Sequence, residues 1–517
     1  MNVAGLLALP AMIAPDSQVL IDGVDLDGAP LTYQELQDRV ARAAGMLSGL
    51  GVVPGQRVAL VAANSGAAVE VVMATCSLGA TVVPINFRAS AQELDDLVRH
   101  AEPCLVVCDT RYYATVRGLT DVPVIDLLSD DPGGYNSLAA VADPISDVAE
   151  VDERSLAVLL YTSGTTSRPK AVPLSHGALT RRVIEGHDIA DGTDRGRFLL
   201  AVPLYHIAGL SALLNCVYSG RTVVTMPQFG VVSWFEAVAR RRVTHAFLVP
   251  TMLAQLVDSG ELHRHDLSSL QVVTYGAAPM PPGLIARVID QFPLTTDFAG
   301  AYGQTETAST IAVLDVDDHR LDDPLKVRRL SSVGKVLEDV QVRIVDPEGQ
   351  PAGAGVCGEV HVRGSRVIDG YWQPGTTESS VQDEDGWLAT GDKGYLDDGG
   401  YLFLNGRVDD VIIRGGENVA PAEVEAVLFD HPAVLDAAVV GLDDAVWGQR
   451  VVAAVILGGG TARDVMDYAS RRLSPFKRPS EVHVLDVLPR NSTGKLVRRE
   501  LRARLAAHEA DASEEER

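Results

Sequence analysis

Residues 161–170 read Tyr-Thr-Ser-Gly-Thr-Thr-Ser-Arg-Pro-Lys, a cluster of hydroxyls with one glycine and a closing lysine, directly after the apolar run 156–161. An apolar run of that length predicts a buried strand, so the polar residues form a loop leaving its end. Hydroxyls and backbone N–H groups in such a loop can wrap phosphate oxygens while Lys170 offsets their charge. The chemistry that suits it is polyphosphate binding, with Thr162, Ser163, Gly164, Thr165, Thr166 and Lys170 as the candidate contacts. The loop is not a Walker loop, because Gly-x4-Gly-Lys-Ser/Thr occurs nowhere in the chain. Taken alone, the segment also reads as a polar surface turn.

Four further segments narrow the chemistry. They are Ala-Tyr-Gly-Gln-Thr-Glu at 301–306, Thr-Gly-Asp at 390–392, Gly-Arg-Val-Asp-Asp at 406–410 with Gly-Gly-Glu-Asn-Val-Ala-Pro-Ala-Glu-Val-Glu at 415–425, and Pro-Arg-Asn-Ser-Thr-Gly-Lys at 489–495. In order and spacing these resemble the adenylate-forming (AMP-binding) superfamily, which includes acyl- and aryl-CoA ligases, stand-alone adenylation enzymes and luciferases. Activating a carboxylic acid with ATP requires the acid oxygen in line with the α-phosphorus. It also requires charge neutralisation as pyrophosphate leaves.

The resemblance implies a role for each matching residue. Glu306 would hold Mg²⁺, a hard cation that accepts one or two carboxylates and keeps several waters. Thr305 would contact the α-phosphate, and Tyr302 would offer a flat face to adenine. Asp392 would accept the ribose hydroxyls, as an ionised acid can. Arg407 would lie on the ribose and phosphate side, and Asp409 would be the hinge of a mobile small domain. Lys495 would enter between carboxylate and α-phosphate during adenylation and leave before the thiol step. His206, in Val-Pro-Leu-Tyr-His-Ile-Ala-Gly, would gate the acid pocket, with a core histidine as the alternative. Gly276, Ala277 and Ala278 would pass between adenine and acyl group, small residues that suit close backbone approach. Two positions depart from the family loop. Ser167 and Ala171 stand where glycine is usual, and either would be strained if the backbone there needed positive φ.

The elements that must position these residues follow from patterning. Thr32 and Glu35 form a capping-box signature opening a helix that ends near Gly51. Strand-like runs at 57–62 and 271–275 and a helical run at 282–291 belong to an alternating α/β pattern that lasts to about residue 300. From about 330 to 405 short strands with glycine turns take over, at 340–345, 358–363 and 400–404, a small β-rich subdomain. After Asp410 the pattern changes again, with Pro421 at a first helical position. The expected fold class is α/β, with a large adenylation domain over 1–406 that includes the β-rich subdomain, and a hinge at 407–410. A mobile, smaller α+β domain over 411–505 and a frayed acidic tail over 506–517 complete it.

A chain of 517 residues, 46% hydrophobic and 22% charged, has the composition of a globular protein of more than one domain. Its net charge of −25 argues against nucleic acid or an anionic membrane surface as partner. The five cysteines form no disulfide framework, and no apolar run is long enough to span a membrane. A cytoplasmic location is expected. The resemblance implies ATP, Mg²⁺ and coenzyme A as cofactors and co-substrates, and a small carboxylic acid, fatty or aryl, as substrate. The product would be an acyl-adenylate and then a thioester. An acyl carrier protein or a nitrogen nucleophile is the alternative acceptor, a luciferase-type oxygenase shares the same motifs, and a homodimer is left open.

Overall fold

The computed structural model describes residues 1–23, 27–162, 170–320, 323–375, 379–415, 417–444, 446–491 and 495–515. Two large sheets enclose a helical layer. Among the described residues one has six strands, and its members Arg57–Val61, Thr81–Pro84, Leu105–Cys108, Val124–Asp126 and Leu156–Thr162 run parallel. Parallel strands are buried on both faces, which is why they read as unbroken apolar runs. Val58 and Leu60 pack inward with the helices Tyr33–Gly49, Gly66–Ser77 and Ile207–Ser219, whereas Ala59 and Val61 pack on the opposite face against Leu94 and Leu97.

The second sheet has thirteen strands among the described residues. Its centre is parallel, with Arg197–Leu200, His245–Leu248, Val272–Gly276 and Asp297–Gln304 side by side. At Asp297–Gln304 it turns antiparallel and continues through Ser309–Leu314, Gly334–Val336, Tyr401–Arg407, Leu388–Leu396, Gly358–Arg363 and Gln341–Val345. The β-rich stretch therefore grows from the edge of the main sheet and adds small cores of its own around Ile311 and Val362, and around Ile344 and Leu402.

Residues beyond Asp410 build their own five-stranded sheet, dominated by the hairpin Val434–Asp444 and Gly448–Leu457. The helices Pro421–Phe429 and Ala462–Arg472 cover one face of it, and Arg498–Glu515 covers the other. The backbone is helical to Glu515, in a stretch rich in Ala, Glu and Arg, which are strong helix formers.

Local signals match their elements closely. Thr32 and Glu35 cap Tyr33–Gly49 reciprocally, and the helix read over 282–291 is Pro282–Gln291.

Candidate active site

The strand Leu156–Thr162 returns through Lys170–Ser175 as an antiparallel pair, with Thr162 opposite Lys170 and Tyr161 opposite Ala171. The candidate phosphate contacts Ser163, Gly164, Thr165 and Thr166 lie outside the described residues, as does Ser167. Thr162 and Lys170 mark the two ends of that stretch. Ala171 is buried strand, its carbonyl accepting from the Trp372 N–H at 2.9 Å. It is absent from the non-glycine residues with positive φ, so the strain considered for alanine here does not arise.

Glu306 sits in the one-turn 3-10 helix Thr305–Thr307, closed by the Gln304 N–H donating to Thr307 Oγ1 at 3.1 Å. Tyr371 Oη donates to Glu306 Oε1 at 3.1 Å, and the Tyr371 ring lies 4.7 Å beneath Lys170 Nζ. Lys170, Thr305 and Glu306 thus come to one place from opposite sheets. The next two residues carry unusual backbone, with Ala308 at φ +50° and Ser309 at φ +122°. Such conformations persist only where the surroundings over-determine them. Arg366 supplies that constraint. Only 2% exposed, it donates to the carbonyls of Thr307 and Thr310, each at 2.6 Å, and to Asp339 Oδ2 at 2.6 Å.

The second half of the site is a carboxylate network. Asp392, 8% exposed, accepts on Oδ2 from Tyr302 Oη at 2.6 Å and from Gln304 Nε2 at 2.8 Å. Its Oδ1 pairs with Arg407 Nη1 at 3.3 Å. Gly391, at φ +72°, makes room for this pair, since a Cβ there would stand 2.8 Å from Arg407 Nη2. The Tyr302 phenol is held well above its ordinary pKa by burial and then by Asp392, so it stays a donor. Gly276 closes its strand beside Ala301, and a Cβ there would meet the Ala301 carbonyl at 2.2 Å. The close approach at Gly276 is thus to the neighbouring strand. Ala277 then turns at φ +64°, and Ala278 follows it in the chain.

Lys495 belongs to the small domain. Its side chain is exposed, yet its pKa is lowered, by desolvation first and then by Arg407, with Asp392, Asp410 and Glu306 opposing. Its backbone N–H donates to Asn491 Oδ1 at 2.8 Å. Asp409 lies in the turn Val408–Asp410, its side chain outside what the structure describes. The adjoining Asp410 is tied to the last helix by Arg498 at 3.1 Å.

His206 stands at the N-cap of Ile207–Ser219, its ring edge-on to Tyr205 with centroids 4.3 Å apart. Its Nε2 is buried without a hydrogen-bond partner, and burial, then Arg88, pulls its pKa down to about 3. It is a neutral imidazole with one polar atom unused.

The sequence reading missed Gln304, Arg366 and Tyr371. Gln304 lies inside a quoted motif yet was given no role, and the other two act through partners far away in the chain.

No group of three or more metal-ligating side chains occurs among the described residues. A divalent ion here would take Glu306 together with substrate oxygens and water, a donor set that fits Mg²⁺.

Comparison with known proteins agrees with this geometry. Residues 11–372 match the AMP-binding enzyme family and residues 423–495 match the AMP-binding enzyme C-terminal domain. The chain is 35% identical to a feruloyl-CoA synthase from Amycolatopsis sp, over 92% of this chain and 94% of the relative. It is 33% identical to the indoleacetate–CoA ligase of Aromatoleum aromaticum, over 92% and 93%. Among solved structures, the o-succinylbenzoate CoA synthetase of Bacillus subtilis, in complex with its acyl-adenylate intermediate, superposes with a TM-score of 0.83 at 31% identity, covering 96% of this chain and 97% of that one. With both its large domain and its small domain matched in sequence and in fold, the chain belongs to the AMP-binding enzyme family.

Proposed function

We propose that this protein is an acid–thiol ligase that condenses a carboxylic acid with ATP, releasing pyrophosphate, and then passes the acyl group to coenzyme A, releasing AMP. The observation that carries it is the convergence of Lys170, Glu306, Asp392, Arg407 and Lys495 from five separate segments. Binding a nucleotide alone would not need a lysine delivered by a second domain.

In the first half-reaction an acid oxygen attacks the α-phosphorus and the bond to pyrophosphate breaks. Thr162, Ser163, Gly164, Thr165, Thr166 and Lys170 bind the β- and γ-phosphates. Asp392, oriented by Tyr302 and Gln304, holds the ribose. Thr305 and Lys495 offset charge at the α-phosphate and the attacking carboxylate, a preorganised arrangement of the kind that supplies most of the rate. Glu306 would hold Mg²⁺, which when bound neutralises phosphate charge. Gly276, Ala277 and Ala278 separate adenine from the acyl group, and neutral His206 closes the acid pocket without adding charge.

We place the large domain at 1–406, the hinge at 407–410 around Asp409 and the small domain at 411–505. Rotation about the hinge withdraws Lys495 and brings the face near Gly415 and Glu417 to the adenylate. The thiol then attacks the acyl carbonyl, its proton passes to solvent and AMP leaves. An aryl or aryl-alkyl acid is the substrate class suggested by the relatives' names, ahead of a fatty acid. The dependence on ATP and coenzyme A puts the activity in the cytoplasm. Among the described residues no helix is long and apolar enough to cross a membrane.

The test is incubation of purified protein with Mg²⁺-ATP and a panel of aryl, fatty and dicarboxylic acids, with and without coenzyme A, read by mass spectrometry. An acyl-CoA formed for one chemical class is the expected result. Acyl-AMP with no CoA ester would move the acceptor to a carrier protein or a nitrogen nucleophile.

A further inference from the structure

Two adjacent residues that the proposed reaction does not use, Tyr371 and Trp372, lie against both the phosphate-binding and the metal-binding sides of the site. They follow one another in extended backbone: Tyr371 ends the short strand Gly370–Tyr371, and Trp372 bridges to Ala171. Consecutive residues of an extended chain point to opposite faces. Trp372 turns its ring to the outer side, edge-on to His100 with centroids 5.4 Å apart and 5.1 Å from the Arg57 guanidinium. Its backbone N–H meets the Ala171 carbonyl at 2.9 Å. Tyr371 faces the other way, under Lys170 Nζ at 4.7 Å and bonded to Glu306 Oε1 at 3.1 Å.

Lys170 begins a strand of the six-stranded sheet and Glu306 sits in a turn between two strands of the other, and the two carry opposite charges. Their common neighbour is the Tyr371 side chain, which offers its π face to the cation and its hydroxyl to the carboxylate. The Trp372 anchor fixes the backbone from which Tyr371 projects.

We propose that Tyr371, anchored through Trp372, is a positioning residue that presets the separation and orientation of Lys170 and Glu306, so that the phosphates and their divalent ion meet a site already assembled. The inference rests on the ligase reading, in which those two residues hold ATP and Mg²⁺. It goes further by assigning a role to a residue outside that machinery.

The test is calorimetric binding of ATP, with Mg²⁺ and with EDTA, to wild type, Tyr371→Phe, Tyr371→Leu, Glu306→Gln and Tyr371→Phe/Glu306→Gln. Tyr371→Phe removes only the hydroxyl. It should weaken Mg²⁺-ATP binding by about 10-fold, the usual scale for a hydrogen bond to a charged group, and leave ATP binding in EDTA nearly unchanged. Tyr371→Leu also removes the cation–π contact and should weaken both, by a further factor of roughly three. In the Glu306→Gln background Tyr371→Phe should cost little more, because coupled neighbours are non-additive. In turnover, KM for Mg²⁺-ATP should rise while kcat at saturation holds. Equal Mg²⁺-ATP affinity in wild type and Tyr371→Phe, or additive losses in the double variant, would overturn the proposal. Failure of the wild type itself to bind ATP would instead sink the ligase reading.

Discussion

Asp392 and Arg407 face one another across neighbouring antiparallel strands as register partners, and their side chains form an ion pair at 3.3 Å. The arginine that begins the proposed hinge is thereby fastened to the carboxylate of the candidate site. Tyr302 and Gln304 load the opposite oxygen of that carboxylate.

Asp392→Asn should separate these functions. One amide oxygen can still accept from Tyr302 and Gln304, but the amide N–H₂ then confronts Arg407. The expected outcome is a drop in kcat/KM for ATP of about 10- to 100-fold, the range for losing one or two charge-assisted bonds, with the fold retained. Acid-dependent ATP–pyrophosphate exchange measures the first part and a thermal melt the second.

Lys495→Ala should affect the two half-reactions unequally. The lysine comes from the small domain, and Arg407, Asp392 and Glu306 are among the charges that act on it, as the proposed adenylation step requires. Pyrophosphate exchange should fall by about 10²- to 10³-fold, as for loss of one preorganised charge-stabilising group. Thioester formation from supplied acyl-adenylate should hold near the wild-type rate. Equal losses in both assays would show that the residue does not leave the site between steps.

Features written into adjacent residues were legible from the sequence. The capping box at Thr32 and Glu35 and the proline-led helix Pro282–Gln291 depend on side chains a few positions apart. The motifs at 301–306 and 390–392 marked Tyr302 and Asp392 as candidate site residues but not the hydrogen bond between them, because three other strands separate their strands in the sheet. Arg366 was not legible, because its partners are backbone carbonyls 59 and 56 residues away, and a carbonyl leaves no mark on composition. Tyr371 was hidden for the same reason: its hydroxyl reaches 65 residues back to Glu306. The continuity of the β-rich stretch with the main sheet depends on hydrogen bonds between Ser309–Leu314 and Gly334–Val336, which periodicity cannot reveal. At Ala171 a missing glycine suggested strain, yet the residue lies in a strand.

Arg366→Met should be among the most destabilising single substitutions in the large domain. It would leave the Thr307 and Thr310 carbonyls and the Asp339 carboxylate without their shared donor. Breaking a buried pair of this kind costs roughly 3–5 kcal/mol. Arg366→Lys should recover only part of it, since one ammonium cannot span three acceptors in a plane. Urea unfolding of the three proteins gives the comparison. A change under about 1 kcal/mol for Arg366→Met, the level of an ordinary exposed ion pair, would mean that the guanidinium does not hold the strained Ala308–Ser309 backbone.

The buried histidines set an acid limit to stability. His206 is lowered to about 3 and His176 to about 4, each chiefly by burial. His176 Nδ1 accepts the Val3 N–H at 3.0 Å, so protonation there would oppose two hydrogens. Both pKa values lie below the unfolded histidine value near 6.5. Between the folded and unfolded values the unfolded chain therefore binds more protons, and stability rises with pH. Their contribution is complete above about pH 6.5 and declines as pH falls below it, by up to roughly 1.4 kcal/mol per pH unit for each imidazole. Carboxylates titrate in the same window, so the decisive quantity is a difference between proteins. His206→Phe keeps an aromatic ring and removes the proton site. Unfolding free energies at pH 4.5 and 7.5 should show the variant losing roughly 2–3 kcal/mol less than wild type over that interval. An equal loss in both proteins would mean that His206 takes up its proton in the folded state as readily as in the unfolded chain, and that burial does not hold it neutral at pH 4.5.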